Sequence, residues 1–132
     1  REGVRFVNDS KATNVEAAVR SIESFEGGVV AIVGGRYKGG DLRRLREPMA
    51  RRGAGVVAIG EAGQMVAEAL ADVVPVERAG SMREAVERWF ALARPTGVVL
   101  LAPACASFDM FRDYAERGRS FKDAVNEIAG TP

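Results

Sequence analysis

The sequence predicts an α/β fold with a doubly wound, mostly parallel sheet covered by helices on both faces. Three observations carry this. Three short apolar, β-branched runs each open on glycine, over 28–33, 55–59 and 97–102. Such unbroken runs suit strands buried on both faces. Segments with helical spacing of apolar residues lie between and after them. The chain has 132 residues, 47% of them hydrophobic and 28% charged, enough for the core of one domain and too few for two.

In chain order, Val4-Arg5-Phe6-Val7 reads as a short strand. Thr13 and Glu16 have the spacing of a capping box, which opens a helix over 15–25 with Val15, Ala18, Val19 and Ile22 on one stripe. The run 28–33 follows as a strand. Asp41 caps a helix carrying Leu42, Leu45 and Met49. After the strand 55–59, a helix over 62–70 carries Met65, Val66, Ala69 and Leu70. Val73 to Val76 reads as a strand that Pro75 makes short or an edge. Ser81 and Glu84 form a second capping box, opening a helix that buries Met82, Ala85, Val86, Trp89, Phe90 and Ala93 and stops before Pro95. Past the strand 97–102, Ser107 and Ser120 cap two final helices, closed by Gly118 and Gly130. The spacings of the glycine-led runs differ, so no solenoid is implied. No linker divides the chain, and residues 1–132 read as a single domain.

Composition excludes several functions. Nineteen Lys+Arg against eighteen Asp+Glu leave a net charge of +1, with no basic excess to drive nucleic-acid or membrane-surface binding. No apolar run approaches the ~18–20 residues of a membrane span. The single Cys105 cannot form an internal disulfide and reads as a buried structural thiol. The absence of histidine removes His-based general bases, Ser-His and Cys-His dyads and most zinc sites, and no metal site is expected. The chain opens on Arg1 without a signal-peptide pattern, so a fragment or processed piece is expected. Sixteen of the basic residues are arginine, which makes Lys11, Lys38 and Lys122 worth locating. Arg43, Arg44, Arg46, Arg51 and Arg52 read as a solvated helix face.

Ligands of open α/β sheets bind beyond the carboxyl ends of the strands. Three segments fall there: Asn8-Asp9-Ser10-Lys11-Ala12-Thr13-Asn14, Gly34-Gly35-Arg36-Tyr37-Lys38-Gly39-Gly40-Asp41 and Pro103-Ala104-Cys105-Ala106-Ser107-Phe108-Asp109. The glycine-rich segment matches neither a P-loop nor a dinucleotide fingerprint. It is either a flexible connection with Lys38 solvated, or a loop whose backbone approaches an anion beside the point charge of Lys38. Thr13 is explained by its cap. Lys11 is less so, because a cation at a helix N-terminus opposes the dipole unless an anion is also there. Ser107 reads either as a plain N-cap or as part of an anion site at a helix start. Residue chemistry alone reaches a small-anion site at the strand ends.

The segment Asn8 to Asn14 resembles the signature of the MurD family, the UDP-N-acetylmuramoyl-L-alanine:D-glutamate ligases of peptidoglycan synthesis. The segment Pro103 to Asp109, with Phe111, Glu116-Arg117-Gly118 and Phe121, resembles the same family's second signature. Gly34-Gly35 with Lys38 and Asp41 resembles a third. The resemblance covers Val4 to Gly130 and corresponds to the carboxy-terminal third of such an enzyme, without its UDP-binding and central ATPase domains. It implies a Rossmann-like fold and a cytoplasmic enzyme of cell-wall synthesis, cell division and cell shape. The implied reaction is ATP-dependent amide formation through an acyl phosphate, with ATP and Mg2+ used by the full enzyme and no cofactor held by this domain alone, which is expected to be inactive. It also implies roles. Lys38 and Thr13 would hold the α-carboxylate of D-glutamate, and Ser107 and the backbone N–H of Tyr114 its side-chain carboxylate. Lys11 would lie near the amino acid and the transferred phosphate, which makes Lys11 and Lys38 the catalytic candidates. Asp9 would contact the ATP ribose. Arg36, Tyr37, Ala102, Met110 and Tyr114 differ from the residues common in that family. Two alternatives stay open: the equivalent domain of another ATP-dependent amino-acid ligase, or a free-standing anion-binding α/β module.

Overall fold

The computed structural model describes residues 4–37, 39–88, 97–105 and 113–129. Five strands form one sheet: β1 (Val4–Asn8), β2 (Val29–Gly34), β3 (Gly53–Ile59), β4 (Val76–Ala79) and β5 (Gly97–Ala104). Their order is β1-β5-β2-β3-β4, and every pairing is parallel. The glycine-led runs are β2, β3 and β5, the three interior strands. Each is buried almost throughout, as unbroken β-branched runs require.

Alternate residues of these strands face opposite layers. Val29, Ala31, Val33, Val56, Ala58, Val98, Leu100 and Ala102 pack beneath α1 (Val15–Glu23), α2 (Arg46–Arg52) and α3 (Gly63–Leu70). Val30, Ile32, Val57, Ile59, Val99 and Leu101 pack beneath α4 (Met82–Arg88) and α5 (Tyr114–Ala129). The doubly wound, Rossmann-like architecture is therefore as expected, with helices on both faces and a sheet that is parallel throughout the described strands.

Four local expectations need correction. The cap of α1 is Asn14, not Thr13: the Asn14 side chain accepts from the Ala17 N–H at 2.8 Å. Glu16 does not turn back to complete a box, because it pairs with Arg44 at 2.8 Å. The helix also ends at Glu23, short of Phe25. Asp41 does cap, accepting from the Arg43 N–H at 2.9 Å, but it starts a 3₁₀ turn over Leu42–Leu45 that passes into α2. Pro48 has no N–H to give the Arg44 carbonyl, so one continuous α-helix is not available there. The strand expected at Val73 to Val76 begins at Val76, because Val73 and Val74 donate to the Leu70 carbonyl and extend the helix end. It is an edge strand, as Pro75 implies.

The last correction is the largest. Gly118 does not end a helix and Ser120 does not start one, since α5 runs continuously from Tyr114 to Ala129. Gly118 is a packing residue. A Cβ there would lie 2.8 Å from the Asn8 amide nitrogen, so glycine lets α5 approach the end of β1.

The second box holds in its cap half. Ser81 Oγ accepts from the Glu84 N–H at 3.1 Å, while the Glu84 carboxylate accepts from the Gly80 N–H at 2.9 Å, one residue before the Ser81 N–H that a capping box would use. The Gly80 bond also holds the Glu84 carboxyl below the usual carboxylate range. Ser81→Ala is expected to lower stability by about 1 kcal/mol, read as a fall of a few degrees in Tm. Readings at Trp89, Phe90, Ala93, Pro95, Ser107, Met110, Phe111 and Gly130 lie outside the described residues.

Candidate functional site

Chain direction decides where a site can form. The chain leaves β1 and β2 for helices on one face and leaves β5 for α5 on the other. Since β5 lies between β1 and β2, the connections diverge on both sides of it. This topological switch point gathers the ends of β1, β2 and β5, with the described residues of the three segments picked out from sequence.

The ends are tied together by backbone bonds. The Asp9 N–H donates to the Leu101 carbonyl, and the Ala104 N–H to the Ala12 carbonyl, both at 2.9 Å. Ala104 turns the chain out of β5 with φ +62°, a left-handed conformation costly for a residue with a Cβ. Beside it, Gly34 closes β2 with φ +140°, and a Cβ there would overlap the Ile59 carbonyl. Only glycine lets β2 end against β3 in this way. The next loop folds back on α1, where Gly40 packs on the Val15 side chain, and the Tyr37 hydroxyl donates to the Gly40 carbonyl.

Within this setting the predicted residues distribute as follows. Lys11 is exposed on a loop whose neighbours Ser10 and Ala12 are buried. It shares a cavity of about 270 Å³ with Asn8, Ser10, Tyr114, Ala115 and Gly118. It also borders a groove of about 470 Å³ lined by Asp9, Ala12, Ala17, Arg20, Ser21 and Ser24. Lys11 thus stands between Tyr114 on one side and Asp9 on the other. Thr13 is half-buried, its N–H donating to the Lys11 carbonyl at 2.8 Å. The start of α1 and the glycine-rich loop share a third space of about 440 Å³, lined by Asn14, Glu16, Arg20, Gly39, Gly40 and Arg44 among others. Lys38 and Ser107 lie outside the described residues.

Sequence reasoning missed two residues. Ser10 and Arg117 are the buried polar side chains named in the described core, at 4% and 0% exposure. The Arg117 guanidinium donates to Ser10 Oγ (3.2 Å), to the Ser10 carbonyl (3.0 Å) and to the Gly34 carbonyl (3.5 Å). The Ser10 hydroxyl in turn donates to the Tyr114 carbonyl at 2.6 Å. A signal was available: Arg117, Phe121 and Ala124 follow helical spacing on the buried stripe of α5, and a cation on such a stripe needs acceptors.

The arginine face is solvated at Arg43, Arg44 and Arg51, whereas Arg46 and Arg52 are half-buried and Arg52 donates to the Phe25 carbonyl at 2.6 Å. Arg43 pairs with Asp41, Arg44 with Glu16, Arg46 with Asp72 and Arg51 with Glu47. Hydrogen bonds from Arg43, Arg44 and Arg46 hold the carboxyls of Asp41, Glu16 and Asp72 below the usual range. This face therefore offers little free positive charge. Cys105 is buried. No helix among the described residues is long and apolar enough to cross a membrane.

The chain matches the family model described as "Mur ligase, glutamate ligase domain" over residues 1–105. It is 48% identical to the UDP-N-acetylmuramoylalanine–D-glutamate ligase of Pseudomonas fluorescens, an alignment covering 97% of this chain and 30% of that protein. The proteins of the same name from Chlorobaculum parvum and Acidobacterium capsulatum are 49% and 50% identical, over 96% and 93% of this chain and 27% of each relative. The chain thus spans less than a third of the length of the curated relatives it matches. On this match the chain belongs to the Mur ligase family, as its glutamate ligase domain.

Proposed function

We propose that this chain is the C-terminal, D-glutamate-receiving domain of a cytoplasmic ATP-dependent ligase that joins D-glutamate to UDP-N-acetylmuramoyl-L-alanine in peptidoglycan synthesis. The observation that carries the reading is Lys11, held on a tied-down loop at the switch point between the Tyr114 cavity and the Asp9 groove. A cation in that position can serve an amino-acid carboxylate on one side and a phosphate on the other. The relatives described above are named for D-glutamate, which favours that amino acid over those of other ligases.

In this reading Thr13 and Lys38 hold the α-carboxylate, and Ser107 with the Tyr114 N–H holds the side-chain carboxylate. A dicarboxylate needs such a set of cations and donors. Thr13 directly precedes Asn14, the cap of α1, and the glycine-rich loop packs on the start of that helix at Val15, which supports the pairing of Thr13 with the Lys38 loop. Fixing both carboxylates orients the amine toward the activated alanyl carboxylate, a proximity effect. Lys11 then stabilises negative charge as the amide forms and phosphate departs. ATP would supply the phosphoryl group that activates the carboxylate, and Asp9 in the groove beside Lys11 is suited to accept from ribose hydroxyls. Among the described residues no cluster of three or more His, Cys, Asp or Glu side chains is arranged to hold a metal ion, so no step through Mg2+ is derived from this chain.

The test is kinetic and uses the full-length ligase. Lys38→Ala is expected to raise KM for D-glutamate by roughly 100-fold, as expected for loss of a charge-assisted bond to a carboxylate, with KM for ATP little changed. Unchanged glutamate kinetics would count against the assignment.

A further inference from the structure

We infer that Ser10 is a positioning residue, whose buried hydroxyl sets the distance between Lys11 and the N-terminus of α5 and thereby the fit of the incoming amino acid. The inference rests on the function proposed above and deepens it. The hydroxyl is committed in both directions, donating to the Tyr114 carbonyl at 2.6 Å and accepting from Arg117 Nε at 3.2 Å. The Ser10 backbone is held as well, its N–H donating to Asn8 Oδ1 at 3.1 Å and its carbonyl accepting from Arg117 at 3.0 Å.

The two ends of this link carry candidate substrate contacts. Lys11 directly follows Ser10, and Tyr114 is the first residue of α5. Both line the same cavity of about 270 Å³. β1 and α5 are far apart in sequence and come from opposite sides of the switch point. Among the described residues, Ser10–Tyr114 is a side-chain hydrogen bond joining the Lys11 loop to the first residue of α5. Asn8 and Gly118 set how closely the two elements approach, and the Ser10 bond sets their register. A fixed span between a cation and a helix-start N–H is a measure of ligand length. Ser10 itself is 4% exposed, and its hydroxyl is already committed to the Tyr114 carbonyl and to Arg117, so its effect acts through Lys11 and Tyr114.

The experiment compares wild type, Ser10→Ala and Ser10→Thr in the full-length ligase, with D-glutamate and ATP varied separately. Ser10→Ala is expected to raise KM for D-glutamate about tenfold while KM for ATP stays within about twofold, and Ser10→Thr, which keeps the hydroxyl, to recover most of the loss. In the present chain, amide NMR spectra should show the Tyr114 and Ala115 N–H signals displaced in Ser10→Ala and near their wild-type positions in Ser10→Thr. Unchanged glutamate KM in Ser10→Ala overturns the inference. So does an equal rise in both KM values, or a Ser10→Ala chain whose spectrum is that of an unfolded protein while Ser10→Thr gives no rescue. A wild-type enzyme that does not use D-glutamate would instead overturn the proposed function, which separates the two failures.

Discussion

Arg117→Leu is expected to cost about 3–5 kcal/mol of stability, because it leaves several buried acceptors without their donor at about 1–3 kcal/mol each. Leucine keeps much of the apolar stem, so packing loss is the smaller part. The larger part is what remains behind. The Ser10 and Gly34 carbonyls and the Ser10 hydroxyl lose their guanidinium donors at a place closed to water. Arg117 is fully buried, so solvent cannot replace these bonds. Thermal or urea unfolding of the chain would read the effect as a Tm fall of roughly 10 °C or more. The contrast is Arg43→Ala, which breaks an exposed pair with Asp41 and should cost under about 1 kcal/mol. Equal effects for the two arginines would show that the Arg117 bonds do not hold the strand ends together.

Lys11→Ala is expected to do the opposite: little to stability and much to activity. The side chain is exposed, and the loop is held by its backbone and by Ser10 and Ala12, so stability should change by no more than about 0.5 kcal/mol. In the full-length ligase, kcat should fall by about 100-fold or more, the usual cost of removing one preorganised electrostatic contact to a reacting group. Lys11→Arg should recover little, because a planar guanidinium does not replace a compact ammonium at a point contact. A kcat within about threefold of wild type would remove Lys11 from the chemistry. Stability measured on the same variants separates the two predictions, since Arg117 acts on the frame and Lys11 on what the frame presents.

How much was legible follows from which forces act locally. Unbroken β-branched runs revealed the interior strands, because burial on both faces leaves no polar alternation to read. Ser81 revealed a helix start, because a cap and the N–H it accepts from lie within four residues. The Thr13 box misled because Asn14, one residue on, caps α1, which takes its glutamate out of the box position and leaves it to pair with Arg44, distant in sequence. Gly118 misled for a similar reason: glycine marks helix ends when the chain must turn left-handed, and here it marks a close approach to Asn8. Arg117 appeared in a quoted signature without a role, since its partners lie on segments that pair only after folding.

By itself, then, the sequence determined the α/β class, the buried strands, the three segments at the strand ends and the family resemblance. Each of these depends on local spacing or on the identity of neighbouring residues. Tertiary structure decided the strand order, the insertion of β5 between β1 and β2, and the joining of Lys11 to Tyr114 through Ser10. Those features depend on contacts between residues about 70 to 107 positions apart, which become neighbours only when burial of both sheet faces brings the ends of β1, β5 and β2 and the start of α5 together.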